Sequence, residues 1–165
     1  MGKVQSVFPN GVGAASAGTP SRSIDEIIIS KKNAAPAVIP FGVPVFMKSD
    51  GSGVILFASG TTTQEQFVGI TVRIPDKTPT TFGSNIGNYG EADMVDILVR
   101  GAIIMEIATS SAKAGDKVYI RIADGKYVTS PGAEGSTMQI PGAVVNTLRD
   151  DNGCCEVILR ARNLM

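Results

Sequence analysis

The sequence predicts an all-β domain, either a jelly-roll-like sandwich or a compact β-barrel, with an extended N-terminal arm. Three observations support this prediction. Apolar residues recur with period two in short runs, most clearly in residues 94–128, which is typical of half-buried strands. Single glycines and short polar turns at residues 100–101, 114–116 and 124–125 separate these runs, so one strand is predicted to end at Gly101. No segment has sustained helical periodicity, so we expect about ten strands and no long helix.

The first 23 residues form the predicted arm. They are rich in Gly, Ala, Ser, Pro and Asn, so they bury too little apolar surface to offset the entropy cost of ordering. We expect a flexible segment that becomes ordered when it docks, followed by a single β domain over residues 24–165. Val4, Val7 and Phe8 are apolar residues near its free end, and we expect them, with Arg22, to contact a partner.

The strands of the β domain follow from local patterns. Residues 27–29 are three consecutive isoleucines, which predicts a strand buried on both faces. Prolines at 36, 40 and 44 exclude a helix and fit strand starts, bends or edges. The sequence Asp-Gly-Ser-Gly at residues 50–53 predicts a tight turn between two strands. Strands are expected at residues 43–48, 54–58 and 67–74.

Residues 75–93 interrupt this alternation with two prolines, three glycines and two asparagines. A segment of this length is usually functional or disordered when it lies inside a compact domain. Phe82, Ile86 and Tyr89 would be wasted in a solvated loop. We therefore expect these three side chains to pack against a neighbouring subunit.

The C-terminal part predicts a hairpin. Residues 149–153 include Asp-Asn-Gly, which tolerates positive φ, and they separate two apolar runs. Cys154 and Cys155 are adjacent on the last strand, so their side chains point to opposite faces and cannot pair with each other. We expect one in the core and the other exposed or at an interface. Unpaired cysteines are typical of a protein made in a reducing cytosol.

Composition and motifs provide no catalytic or ligand-binding pattern. Fifteen basic and fifteen acidic residues leave no net charge, so no field attracts nucleic acid, and no apolar run approaches a membrane span. There is no His to act as a general base near neutral pH. Asp93 and Asp96 lie three apart on a strand and so face opposite sides. We expect no enzyme, no cofactor, no metal, no nucleic-acid partner and no membrane partner.

Several segments together resemble one family, the small structural cement (decoration) proteins of tailed bacteriophage heads. They are MGKVQSVFPN, IPFGVPVF, FVGITVR, VDILVRGAIIMEI and KAGDKVYIRIADGKYV, in this order along nearly the whole chain. The resemblance implies a non-catalytic protein, usually trimeric, that clamps neighbouring major capsid subunits after head expansion. It also implies a location on the outer capsid surface of the virion, after synthesis in the host cytoplasm.

With this resemblance, the expected contacts acquire partners. The major capsid protein is expected to meet Val4, Val7, Phe8 and Arg22, and the homotrimer interface is expected to use the apolar side chains of residues 75–93. Two other functions remain open. One is a different phage virion component, of the tail or of head completion. The other is a carbohydrate-binding β-sandwich, which the absence of Trp disfavours because sugars usually stack on exposed aromatic platforms.

Overall fold

The structure is a computed structural model that describes residues 17–74 and 88–160. Within them, nine strands form one large antiparallel sheet that curls into a half-barrel, and two short strands pair separately. A 3₁₀ turn, Gln64–Gln66, is the only helical segment of the described residues. The strands are β1 (Pro20–Lys32), β2 (Ile39–Pro40), β3 (Pro44–Met47), β4 (Val54–Leu56), β5 (Phe67–Thr71), β6 (Asn88–Tyr89), β7 (Met94–Glu106), β8 (Lys117–Arg121), β9 (Tyr127–Val128), β10 (Thr137–Val145) and β11 (Cys154–Leu159).

Strand β7 is the centre of the large sheet. β5 pairs with its first half, at Leu98 and Ile97, and β11 pairs with its second half from Gly101 onward. β1 runs antiparallel along both halves. The sequence suggested two strands separated at Gly101, but the structure has one strand of thirteen residues. Gly101 has a φ of +125°, so the strand passes through this position with an irregular register and does not end there.

Apolar side chains cover both faces of β7, which explains its nearly continuous apolar sequence. Val95, Ile97 and Val99 point into a smaller core together with β2 and β6. Leu98, and then Ile103 and Met105 after Gly101, contribute to a larger core shared with β8, β10 and β11. Two cores on opposite faces of one strand make β7 the structural centre of the protein.

Most strands lie where alternation and turn residues predicted them, including the hairpins β3–β4 and β10–β11. The prediction for the three isoleucines was wrong, because Ile27 and Ile28 are 42% and 43% exposed. Both lie on β1, which has a strand neighbour on one edge only among the described residues. Only Ile29 packs against the smaller core.

The prediction for the two cysteines was also wrong, since both are buried and both are free thiols. The Cys155 side chain belongs to the larger core, and Cys154, on the other face of β11, is only 7% exposed. Burial raises the pKa of the Cys155 thiol to about 11, and it raises the pKa of Cys154 as well. Thiols in this state are poor nucleophiles, so neither is a candidate reactive group.

Candidate interaction surfaces

The described residues hold no cluster of three or more His, Cys, Asp or Glu side chains that could bind a metal ion. The two carboxylates considered from the sequence have separate structural roles. Asp93 accepts a hydrogen bond of 2.7 Å from the Gly90 backbone N–H in the turn before β7. Asp96 accepts one of 2.6 Å from the Ser30 hydroxyl, which joins β7 to β1. Among the described residues, no helix has the length and apolarity to cross a membrane.

The point where the N-terminal segment joins the body is tightly fixed. The Gly18 N–H donates to the Ile104 carbonyl at 2.8 Å, and the Ile104 N–H donates to the Thr19 carbonyl at 3.0 Å. The Gly18 carbonyl accepts a bond of 2.8 Å from the Arg73 N–H on the other side. This segment therefore bridges the C-terminal half of β7 and the chain that follows β5.

Two glycines let the backbones cross at this joint. Gly18 and Gly42 have φ values of +83° and +72°, and they lie directly against each other. A Cβ atom added to Gly42 would lie 2.5 Å from the Gly18 nitrogen and 2.8 Å from the Ala17 carbonyl carbon. Only glycine avoids both the steric overlap and the strained φ. We call the contact of residues 17–18 with Gly42 the root joint.

The root joint places the start of the body earlier than the predicted boundary at residue 24. Gly18 and Thr19 are hydrogen-bonded to the sheet, and β1 begins at Pro20, which pairs with Ile103. Arg22, a predicted contact residue, belongs to β1 with Ala102 as its backbone partner. The other three predicted contact residues, Val4, Val7 and Phe8, lie outside the described residues.

Strand β1 provides an unusual sheet edge. The path through the sheet ends at β4 and β9, which have three and two residues, whereas β1 has thirteen. Among the described residues only β7 pairs with β1, so its outer edge is open. Proteins usually keep exposed edge strands short, since unpaired backbone groups attract other strands. A long open edge with two exposed isoleucines is therefore a candidate interaction surface.

Tyr89 is enclosed by its own chain. Its side chain is fully buried, its ring meets Phe41 edge to face at 5.2 Å, and its hydroxyl donates to the Val72 carbonyl at 2.5 Å. Burial raises the pKa of this phenol, so it stays a neutral donor. Phe82 and Ile86 lie outside the described residues, and they now carry the prediction of a subunit interface near this loop.

A groove of about 470 Å³ lies beside the root joint. Ala17, Phe41 and Tyr127 form part of its wall. Its charged members are Glu106, Lys126 and Arg149. The Arg149 side chain is already engaged, since its Nε donates to the Ile107 carbonyl at 2.7 Å. Burial raises the pKa of Tyr127, with a smaller contribution from the Glu106 carboxylate. These are structural contacts, and no nucleophile–base pair appears among the groove residues.

The comparison with protein families decides among the functions left open. Residues 4–160 match the profile of a family described as "Structural cement protein (E217 gp24/Pam3 gp6)". The chain belongs to this phage structural cement protein family. The protein is therefore a structural component of the phage capsid, located in the virion. The resemblance predicted from the sequence is confirmed.

A solved structure described as "The capsid of Myoviridae Phage XM1" contains a chain of the same fold. The two chains superpose with a TM-score of 0.63 at 18% sequence identity, covering 93% of this chain and 97% of the other. This likeness confirms the all-β fold over nearly the whole length. No curated protein shows significant sequence similarity to the cement protein.

Neither the root joint nor the open edge of β1 was predicted from the sequence. No local pattern reveals the root joint, because Gly18 and Gly42 lie far apart in the chain. The edge did leave a signal. The isoleucine run is preceded by Asp25 and Glu26 and followed by Lys31 and Lys32, whereas charges close to both ends are unusual in a strand buried on both faces.

Proposed function

We propose that this cement protein binds the outer surface of the phage head as a homotrimer and ties neighbouring major capsid subunits together. The observation that carries the proposal is the root joint. Because Gly18 and Thr19 are hydrogen-bonded to β7 and to the chain after β5, the β domain holds the chain that follows residues 1–16 at a fixed point. A rigid body with a chain anchored in this way suits a protein that must hold two subunits at a set separation.

In this proposal residues 1–16 act as the arm, and Val4, Val7 and Phe8 are its anchors. Burial of each apolar side chain on the capsid would contribute about 1.5–3 kcal/mol before the ordering cost of the arm is subtracted. One arm therefore binds weakly. Three arms on one trimer act together, and linked sites of this kind raise overall affinity by about 10²–10⁴.

The trimer in this proposal uses Phe82 and Ile86, and Arg22 adds a capsid contact from the start of β1. A net charge of zero limits repulsion between copies that crowd the same shell. Synthesis in the host cytoplasm suits two free, buried thiols. Light scattering on the purified protein should give three times the chain mass of 17.1 kDa. A monomer at micromolar concentration would contradict the trimer.

The arm is tested by binding to expanded heads that lack the protein. We expect deletion of residues 2–16 to leave the thermal unfolding midpoint unchanged, because the root joint is retained, and to weaken head binding at least tenfold. A triple variant, Val4→Ser, Val7→Ser and Phe8→Ser, should behave like the deletion. The matched control changes polar neighbours on the same segment, Gln5→Ala, Ser6→Ala and Asn10→Ala, and should bind normally.

A second deletion separates the arm from the body. Removing residues 2–22 also removes Gly18, Thr19 and the first strand pairs, so this variant should unfold at a lower temperature than the shorter deletion. Full head occupancy by the shorter deletion would show that the β domain alone makes the contact. Electron microscopy of labelled protein at the tail or neck would instead support the alternative virion component.

A further inference from the structure

We propose that the outer edge of β1 pairs with the same edge of a second copy, antiparallel and about a twofold axis at Ile29. This contact would combine backbone hydrogen bonds between the two β1 strands, burial of isoleucine side chains and two ion pairs. The biological setting rests on the proposed function: on the shell, this contact would join two neighbouring trimers. The pairing itself requires only two copies of the chain.

The backbone of β1 has hydrogen-bonding groups available on its outer edge. The Asn33 N–H donates to the Asp93 carbonyl at 2.7 Å, so Asn33 faces β7. Backbone groups alternate between the two edges of a strand, so Lys31 and Ile29 also face β7. The N–H and C=O groups of Ile28, Ser30 and Lys32 therefore point away from the sheet, where no described strand meets them.

The exposed side chains lie beside these groups. Ile27 and Ile28 are 42% and 43% exposed on consecutive positions of the strand. A second strand on this edge would cover part of both side chains while its backbone satisfies the open donors and acceptors. A polar contact from one residue would neither cover the two isoleucines nor bond the row of open backbone groups. The two features together therefore indicate a strand as the partner.

Charge selects the direction and the partner. From residue 25 to residue 32 the sequence reads Asp-Glu-Ile-Ile-Ile-Ser-Lys-Lys, with acidic residues at one end and basic residues at the other. Antiparallel pairing centred on Ile29 places Glu26 of each copy opposite Lys32 of the other. Parallel pairing in register would place like charges together. A second copy in the antiparallel sense is therefore the strand that this edge complements.

Glu26 supplies an independent observation. Its Oε1 atom is buried, and no hydrogen-bond donor among the described residues reaches it. The aliphatic part of the side chain packs over Gly101, where an added Cβ would lie 3.1 Å from the Glu26 Cγ. Because Oε1 is enclosed by its own chain, an ion pair with Lys32 of another copy requires the Glu26 carboxylate to turn outward, which would also supply a partner for this unmet oxygen.

Twofold symmetry also limits the assembly. A contact of one edge with itself is closed, because each edge is used once and no further strand can be added. The pairing therefore joins copies two at a time and does not build a fibre. Crowding on the shell raises the local concentration of edges, which favours the contact there.

A disulfide trap tests the register. The axis places Ile29 opposite Ile29, at a pair without mutual backbone hydrogen bonds, where Cα atoms are about 4.5 Å apart and a disulfide fits. Ile29→Cys should give covalent dimers on a non-reducing gel after mild oxidation of the full-length protein, both concentrated and bound to heads. The control, Met94→Cys, carries an exposed thiol on β7 and should give at least tenfold less dimer.

A charge exchange in the disulfide-trap background tests the ion pairs of the same contact. In the Ile29→Cys background, Lys32→Glu should reduce the dimer yield at least fivefold, and adding Glu26→Lys should restore it. If dimers form equally well with and without Lys32→Glu, or no better than with Met94→Cys, the antiparallel pairing is overturned. Light scattering distinguishes the two proposals. If the protein is a trimer but no disulfide-linked dimer forms, only the β1 pairing is contradicted. If the disulfide-linked dimer forms but the protein is not a trimer, only the homotrimer is contradicted.

Discussion

β1 and β7 are strands of the same length that lie side by side, yet the protein uses them differently. Both have thirteen residues, and Ile28 of β1 lies directly opposite Leu98 of β7. Leu98 is fully buried, whereas Ile28 is 43% exposed. Both strands contain a run of apolar residues, so the difference comes from their positions in the sheet. β7 has neighbours on both edges and a core on each face, while β1 has one strand neighbour among the described residues.

β1 and β7 have different roles although both contain a run of apolar residues. Apolar surface that is buried within the chain stabilises the fold, and β7 supplies much of it to both cores. Apolar surface that stays exposed is available for association, and β1 presents it on an open edge. Whether a run of isoleucines is buried in a core or exposed for association therefore depends on the strands that lie beside it.

The largest difference in stability is expected between two variants in which Leu98 or Ile28, the opposed side chains of β7 and β1, is shortened to alanine. Leu98→Ala leaves a cavity in the larger core and should lower the free energy of unfolding by about 2–5 kcal/mol. Ile28→Ala should lower it by only about 1 kcal/mol, because much of that side chain is already in water. Urea unfolding of both variants measures the difference. Equal losses would show that the two strands contribute alike to stability.

The second prediction concerns the root joint that fixes the start of β1. Gly42→Ala places a methyl group against residues 17 and 18, whereas Gly51→Ala meets nothing within 4 Å although its φ, +71°, nearly equals the +72° of Gly42. Both variants carry the same backbone strain, of about 1–2 kcal/mol. Overpacking should cost Gly42→Ala a further 1–3 kcal/mol, roughly. Equal unfolding midpoints for the two variants would show that residues 17 and 18 move away from the added methyl group without loss of stability.

Local patterns located most strands but did not reveal which strand is central. The β3–β4 turn and the β10–β11 turn were predictable because glycine and aspartate occupy them between alternating apolar runs. Gly101 was taken as a strand end, since sequence alone does not show that β1 and β11 support the backbone on either side of it. Tyr89 was assigned to a subunit interface because its core partner Phe41 lies far away in sequence.

The family was predictable and the surfaces were not. Segments spread over the whole chain preserve the order of turns and strands, and the profile match over residues 4–160 confirmed that assignment. Interaction surfaces depend on which edges remain open after folding. The exposure of Ile27 and the burial of Cys154 are both outcomes of long-range strand pairing, which no window of neighbouring residues specifies.

A smaller effect is expected at the side-chain bond that joins the two strands. The Ser30 hydroxyl of β1 donates to the Asp96 carboxylate of β7 at 2.6 Å on an exposed surface. Ser30→Ala should lower the free energy of unfolding by about 0.5–1.5 kcal/mol. Ser49→Ala, at an exposed serine next to the β3–β4 turn, is the control and should change little. A loss as large as that of Leu98→Ala would show that polar contacts, and not the cores, hold β1 in place.

The smallest effect is expected at the far end of the sheet, where the turn before the short strand β9 is held by surface charge. Arg121 donates two hydrogen bonds to Asp124, and this lowers the pKa of that carboxyl from 3.8 to about 2. The carboxylate therefore stabilises the fold above pH 4, and this contribution is lost as the pH falls from about 4 through about 2.

Asp124→Asn should accordingly be slightly less stable than the natural protein at pH 7, and the difference should disappear near pH 2. Urea midpoints measured across this range follow the change. Asp151→Asn, at another exposed turn aspartate, controls for the loss of one surface charge. A difference that stays constant down to pH 2 would show that the ion pair with Arg121 contributes nothing.

The root joint also determines how the body would carry a mechanical load. Any tension on residues 1–16 enters the β domain at Gly18 and passes directly into β1 and the C-terminal half of β7. A pull along the axis of β1 loads the hydrogen bonds between these strands in shear, so many bonds share the force before one breaks. A pull across the axis would open them one at a time. The direction of a pull at Gly18 therefore sets the force at which these strands separate.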